Sequence, residues 1–539
     1  MVKTSRAALA GSVVTMDPLA TVLPRGVVYV QDTRIAAVQP REAAPPDGFA
    51  DTPVAETNGT LYPGLVELHN HLPYDVLPLW MVPKKYTNRD QWGDPRRTPD
   101  YKRLISGPMG VLGRNPDVVP AIVRYVEVRA LLGGTTTSQG VALASNSGIV
   151  KFYRGLVRNV ESTGDPQLRP ATTRIADVDA TDAERFLARL SGTQKLILHL
   201  AEGVDQAARN HFLALRIDPA RWAITSNLIG IHCAGLQPAD FAILAGHGGS
   251  MVWSPLSNLL LYGQTANLGA ALAVGVSVAL GSDWAPSGSK NLLGELKIAR
   301  LAAPMAGADV SDRDLLAMAT TTPARLLGWD QQIGSLEAGK RADLIVVAGK
   351  RGDPYARLLN ADESDLDLVM IDGTPRSGST RLMRQLSDLD GELLTVGHHR
   401  KVLQLAQADA NSDVAAITVA GAIDCLRAAL ADLPNSTAAA RTAFAPAPAE
   451  RDDPRPLLAV AGVIENGLTP RPHLPYRGRL TGPNLPTLWA GRTTAAAPVA
   501  LPALTLDPIT AVDNPGYLKA LAQEPNLPRQ IVDALTPQP

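Results

Sequence analysis

Short apolar runs that end in polar residues, separated by segments of helical period, fill residues 61–335, and few folds accept such a pattern. The runs are Gly64–Leu68, Gly134–Ser138, Lys195–His199, Leu228–His232, Ser250–Trp253 and Val276–Gly281. Helical spacing marks Val118–Leu132, Ala183–Leu190, Pro238–Ala245 and Asn291–Ala302. Strand–helix alternation predicts a parallel sheet with right-handed crossovers. The span of 275 residues is close to the ~250 of a (β/α)8 barrel. The expected class is therefore α/β, a TIM-like barrel.

The flanks have a different texture. Ala7–Met16, Gly26–Val30 and Arg34–Val38 are short, apolar and bounded by turns, so residues 1–60 read as all-β rather than as a signal peptide. Strand-like sequence returns at 334–347 and at Asp367–Ile371, and both flanks are expected to build one small β-sandwich beside the barrel. The expected units are thus 1–60 with 335–375, the barrel 61–334, and a C-terminal extension 376–539. In the extension a helical stretch is expected at about 399–433, then a segment with 12 prolines in residues 446–508, then a short helix at Gly516–Ala522.

Composition narrows the function classes. With 51 basic and 52 acidic residues the net charge is −1, which argues against a nucleic-acid binder working by bulk electrostatics. The longest apolar run, Leu268–Gly281, has 14 residues, short of the ~18 of a membrane span. Two cysteines, Cys233 and Cys425, make no disulfide framework, so a reducing, cytoplasmic location is expected. The expected partner is a small-molecule substrate, with a homo-oligomer left open.

Four strand ends carry metal-ligand chemistry. His69 and His71 stand at i and i+2, on one side of an extended chain. His199 closes one run, His232 another and Asp283 a third, and Glu202 lies three residues past His199. Core packing would place Val, Ile or Leu there, whereas barrel sites lie at these C-terminal strand ends. Cys233, next to His232, is expected to point into the outer core.

At these residues the sequence resembles the amidohydrolase superfamily. The resemblance rests on Pro63–His71, Gly133–Thr137, His199–Glu202, Gly230–Cys233, Ser254–Asn258, Gly281–Asp283 and Gly334–Asp343. It covers roughly residues 5–375 and is strongest for the branch of triazine hydrolases and cytosine, guanine and adenosine-type deaminases. The resemblance implies a barrel with a flanking β-sandwich and a divalent metal held by His69, His71, His199 and Asp283. Three nitrogens and a carboxylate suit Zn2+, with Fe2+ or Mn2+ open. Binuclear relatives use a bridging lysine. Lys195, the one lysine between Leu168 and His199, would lie about 13 Å back along its strand, so one metal is expected. The implied reaction is attack of metal-bound hydroxide on an sp2 carbon, cleaving a non-peptide C–N bond of an amide, cyclic amide or amidine. Glu202 would be the general base and acid, His232 would stabilise the oxyanion, and Asp283 would share the base role. The alternatives are a heterocycle deaminase, a carbon–halogen or carbon–sulfur hydrolase using the same site, and a non-catalytic scaffold relative.

The loop after the first barrel strand carries Trp80, Tyr86 and Trp92, expected to face a planar or apolar substrate. Lys84, Lys85 and Arg89 read as a solvated charge run. Gln139 ends the second strand and is expected to hydrogen-bond substrate. Asn258 and Asn291 are expected to brace loops.

Overall fold

The structure is a computed structural model that describes residues 5–93, 98–113, 115–140, 155–174, 183–192, 194–387, 390–407, 412–436 and 500–535. Alternating hydrophobics start the first sheet. β1 (Arg6–Val14) sends Leu9 and Val13 into one apolar cluster and Ala8 and Ala10 into another, on the opposite face. β2 (Val22–Gln31), β3 (Arg34–Pro40) and β4 (Val54–Pro63) complete the N-terminal part.

The chain then enters eight short parallel strands: β5 (Leu65–Glu67), β6 (Thr135–Ser138), β7 (Arg158–Asn159), β8 (Thr172–Arg174), β9 (Leu196–Leu200), β10 (Leu228–His232), β11 (Ser250–Trp253) and β12 (Val278–Leu280). They form a three-stranded sheet, β5-β6-β7, and a five-stranded sheet, β12-β11-β10-β9-β8. A parallel bridge between Asn70 and Asp283 joins one seam. At the other, the Ala171 N–H donates to the Val160 carbonyl at 2.9 Å. Between the strands lies a separate apolar cluster with Val66, Ile197, Ile229, Ile231, Val252 and Ala279, plugged by Leu327 and Trp329. The alternate positions, such as Leu65, Leu198, Leu228 and Met251, pack outward against the helices. The helix Val119–Leu132 is buried along its whole length.

β13 (Leu344–Ala348) pairs antiparallel with β4 and returns the chain to the first sheet. β14 (Leu366–Ile371), β15 (Thr374–Ser379), β16 (Glu392–Val396) and β17 (His399–Leu403) follow. The result is one continuous nine-stranded sheet, β16-β17-β15-β14-β13-β4-β1-β2-β3. Strands from both flanks build it, and it runs on to residue 403. The helix expected from 399 begins instead as β17, paired with β16 across Gly397 and His398. Gly397 has φ +57°, which a two-residue hairpin turn requires and a helix start does not. Helices Ser412–Ala416 and Val419–Ala431 come after it. Most of the proline-rich stretch 446–508 lies outside the described residues. Helix Tyr517–Ala522 forms as expected, with Gly516 as its cap. Among the described residues no helix is long and apolar enough to cross a membrane.

Candidate active site

β5, β9, β10 and β12 deliver their terminal side chains to one buried centre. Extended backbone around Asn70 places His69 and His71 on one side. The Asp283 N–H donates to the His69 carbonyl (3.0 Å) and the His71 N–H to the Asp283 carbonyl (2.5 Å). Gly281 makes this approach possible, since a Cβ there would sit 2.5 Å from the His69 Cβ. His232 and Asp283 both have φ +66°, and Ala201, just past His199, has φ +51°. Non-glycine residues in this region cost on the order of 1–3 kcal/mol each and gather at functional sites. For His232 the turn matters directly: Ile229 and Ile231 face the apolar cluster between the strands, so strict alternation would send residue 232 away from it.

The distances are short. Asp283 Oδ1 lies 3.0 Å from His69 Nε2 and 3.3 Å from His71 Nε2. His71 Nε2 and His199 Nε2 are 3.3 Å apart. His232 Nε2 lies 3.8 Å from Glu202 Oε2 and 4.0 Å from Asp283 Oδ2. The site residues form three overlapping groups of potential ligands: His69, His71 and His199; His69, His232 and Asp283; His199, Glu202 and His232. In each, the ligand atoms lie within 4.8 Å of one another. Burial, then the neighbouring His69 and His71, holds His199 well below the ordinary histidine pKa. His232 is also held low, chiefly by burial, although Asp283 opposes it. Burial alone would raise Asp283, but the rings of His69, His232 and His71 outweigh that and hold its carboxyl below the usual range. The cluster therefore sets buried imidazoles, His199 and His232 among them held low, against an ionised carboxylate, a donor set suited to a divalent cation.

Asn258 Nδ2 lies 3.0 Å from His232 Nδ1, and the Asn258 oxygen accepts from the Thr265 hydroxyl at 3.3 Å. That arrangement makes Nδ1 an acceptor and leaves the His232 proton on Nε2, aimed at Glu202 and Asp283. Tyr262 donates to Glu202 Oε1 at 3.0 Å and receives from Trp92 Nε1 at 2.8 Å. Asn291 braces a loop, as expected, donating to Glu363 at 2.8 Å.

Other residues stand differently from the sequence reading. The Gln139 oxygen accepts from the Asn70 N–H at 3.0 Å, and its amide donates to Glu161 and Thr173, both at 3.2 Å. With its donors engaged it braces the His69–His71 segment, which corrects its expected substrate contact. Arg89 is buried, and its Nε lies 3.5 Å from Glu202 Oε2, so it leaves the solvated charge run. Lys84 and Lys85 remain exposed. Lys195 donates to the Ser226 carbonyl at 2.8 Å, at the opposite end of β9 from His199. Cys233 is fully buried in the outer core, and burial pushes its thiol up to about 12.

Trp80, Tyr86 and Trp92 are all buried in a loop that covers the site. They join Tyr74, Tyr101 and Trp284, which the sequence reading missed. Trp92 and Trp284 are 6.0 Å apart between ring centroids, and Trp284 stands edge-on to His71 at 6.1 Å. Trp284 directly follows Asp283, which was the available signal. Glu67 was also missed. It is buried behind the histidines, where it accepts from the Ser282 N–H (3.0 Å) and from the Ser282 hydroxyl.

A model of the amidohydrolase family matches residues 194–376, which hold His199, Glu202, His232 and Asp283. The 5-methylthioadenosine/S-adenosylhomocysteine deaminase of Moorella thermoacetica is 28% identical over 388 residues, 65% of this chain and 90% of that protein. Over residues 194–376, about a third of its length, the chain matches the amidohydrolase family, and its Moorella relative is a deaminase by name. The chain is an amidohydrolase, a hydrolase acting on carbon–nitrogen bonds. Two solved structures share its fold. An adenosine deaminase from Xanthomonas campestris with bound zinc has a TM-score of 0.54 at 22% identity, covering 72% of this chain and 95% of that one. A variant of atrazine chlorohydrolase from Arthrobacter aurescens, complexed with zinc and atraton, has a TM-score of 0.55 at 20% identity, covering 68% and 94%.

Proposed function

We propose that this amidohydrolase is a mononuclear, zinc-type aminohydrolase that removes an exocyclic amine from a planar nitrogen heterocycle of the aminated purine class. The convergence of His69, His71, His199 and Asp283 beside Glu202 carries the reading. The residues fit a cation: two buried Nε2 atoms, on His71 and His199, stand 3.3 Å apart against one carboxylate. A divalent ion bound there supplies Lewis acidity, bringing the pKa of water towards roughly 7.

The chain's own groups do the rest. Glu202 takes a proton from the attacking water and returns it to the leaving nitrogen, which departs as ammonia. Its bond from Tyr262 and its approach to Arg89 fix the carboxylate in place. His232 hydrogen-bonds through Nε2–H to the oxygen that adds to the carbon and keeps that proton, while Asp283 Oδ2 takes the oxygen's remaining proton as the carbonyl forms and hands it to the ring nitrogen. Trp80, Tyr86, Trp92 and Trp284 offer flat apolar faces, which suits a planar heterocycle. The relatives favour an exocyclic amine over an amide, since the Moorella protein is a deaminase.

The eight parallel strands are read as one closed barrel, spanning 61–334. The composite β unit of 1–60 and 335–375 takes in the hairpin of β16 and β17, and 376–539 is the C-terminal extension. Free Cys233 and Cys425 accord with a cytoplasmic setting.

The test is ammonia release from 5-methylthioadenosine and adenosine, beside a panel of cyclic amides, with metal counted by elemental analysis. One metal per chain, deamination by wild type and its loss in Glu202→Gln are expected. Turnover of amides alone would move the reading to amide hydrolysis. Neither metal nor turnover would support the scaffold alternative.

A further inference from the structure

The C-terminal segment 500–535 lies beyond residue 376, where the family match ends. It is nevertheless built into the catalytic end of the molecule. Leu501, Ile509, Tyr517, Leu521, Leu527 and Ile531 are buried in the main core. Asp507 is buried between two cations, Lys290 and Arg129, with Arg129 Nη2 at 2.9 Å. Lys290 comes from the loop after β12 that also carries Asp283 and Trp284. Arg129 in turn donates to the Asp75 carbonyl in the loop over the site.

Three further contacts reach that loop directly, at intervals along it. The Asp507 N–H donates to the Val76 carbonyl at 3.1 Å. The Val82 N–H donates to Glu524 Oε2 at 3.2 Å. Asn526 Nδ2 donates to the Lys84 carbonyl at 3.2 Å and to the Leu260 carbonyl at 2.8 Å. Between and beyond these ties stand Trp80, Tyr86 and Arg89. Leu260 lies on the helix Pro255–Tyr262, which carries Asn258 and Tyr262, the partners of His232 and Glu202. One tie is backbone to backbone and two join a carboxylate or amide side chain to the loop's main chain, so they fix where the loop backbone runs and not merely that it is covered.

We propose that the segment 500–535 is a specificity strap. Asp507, Glu524 and Asn526 are positioning residues that set the 72–92 loop, and with it the aromatic wall presented to substrate. The strap holds the wall in the bound geometry before substrate arrives, so the ordering cost is met by folding. This rests on the reading that the loop lines the substrate pocket, and the test separates the two. The double variant Glu524→Leu/Asn526→Ala removes two ties, touches neither the metal cluster nor Glu202, and spares the buried Asp507 ion pairs.

Trypsin cleavage after Lys84 or Lys85, both exposed, reports loop release without any substrate. The expected rate is roughly fivefold or more above wild type, as for lost hydrogen bonds that gate local opening. Metal content and melting temperature should stay at wild-type values. With 5-methylthioadenosine as probe, KM should rise several-fold while kcat changes less. If wild type fails to turn over the probe, the functional reading falls and the cleavage rate still decides the strap. Unchanged cleavage would overturn the proposal. So would accelerated cleavage over the whole chain with a lowered melting temperature, because that would make the segment ordinary core.

Discussion

Asn258 shows how much of this site is set by single side chains that act on a neighbouring histidine. Its amide holds His232 with the proton on Nε2. In Asn258→Leu the imidazole loses that partner and is free to carry its proton on Nδ1, away from Glu202 and Asp283. Kcat should fall about 10–100-fold, the usual cost of losing such an orienting bond, while metal content measured by elemental analysis stays at the wild-type value. A second residue gives a pH signature. Burial holds Glu127 protonated up to about 7 against Arg124 and the Leu156 N–H, whereas its ordinary value is 4.5. Between those values the folded state binds the extra proton, so stability falls as pH rises from 4.5 to 7 and is flat above. The contribution is on the order of 3 kcal/mol at most. Urea unfolding at pH 5 and pH 7 should show that loss in wild type and a smaller one in Glu127→Gln. At this scale the histidines and Asp283 were legible because polar residues at the ends of apolar runs have few other uses. Arg89 was not, because sequence cannot tell a charge facing water from one paired with a buried carboxylate.

Elements were legible in proportion to their apolar content. β10 and β11 have the boundaries the sequence gives, because both are apolar runs with polar ends. β7 and β8 went unseen, being two and three residues long and polar. Arg158 explains β7: it is buried there to pair with Asp343 and with Asp372 (2.8 Å), tying the parallel strands to the composite sheet. The β16–β17 hairpin was hidden by a charged second strand, although Gly397 was the available turn signal. The approach of β12 to β5 makes its own prediction. In Gly281→Ala the new methyl meets His69 at 2.5 Å, so β12 must withdraw and take Asp283 with it. The variant should lose metal affinity by at least about tenfold, read by chelator competition. Ala279→Gly, on the same strand without that contact, should hold metal as wild type does.

For the whole molecule the same geometry makes the proposed metal a staple. Its ligands are split between the two parallel sheets: His69 and His71 follow β5 of the three-stranded sheet, while His199 and Asp283 belong to β9 and β12 of the five-stranded one. The seam beside them is one bridge, with little backbone pairing to hold it. An ion that binds only where both sheets meet stabilises the folded state by mass action, about 2.7 kcal/mol at a free concentration 100 times its dissociation constant. Without it, no divalent charge draws the ligands of the two sheets onto one point, so the seam loses that attraction. Dialysis against chelator should therefore lower the melting temperature by several degrees, and added zinc should restore it. Asp283→Ala should start low and respond to neither treatment. The composite sheet contributes no ligand, so its hydrogen-exchange protection should change less on chelation than that of β5 and β12. Equal loss of protection in both would mean that the ion stabilises the fold globally and not through this seam.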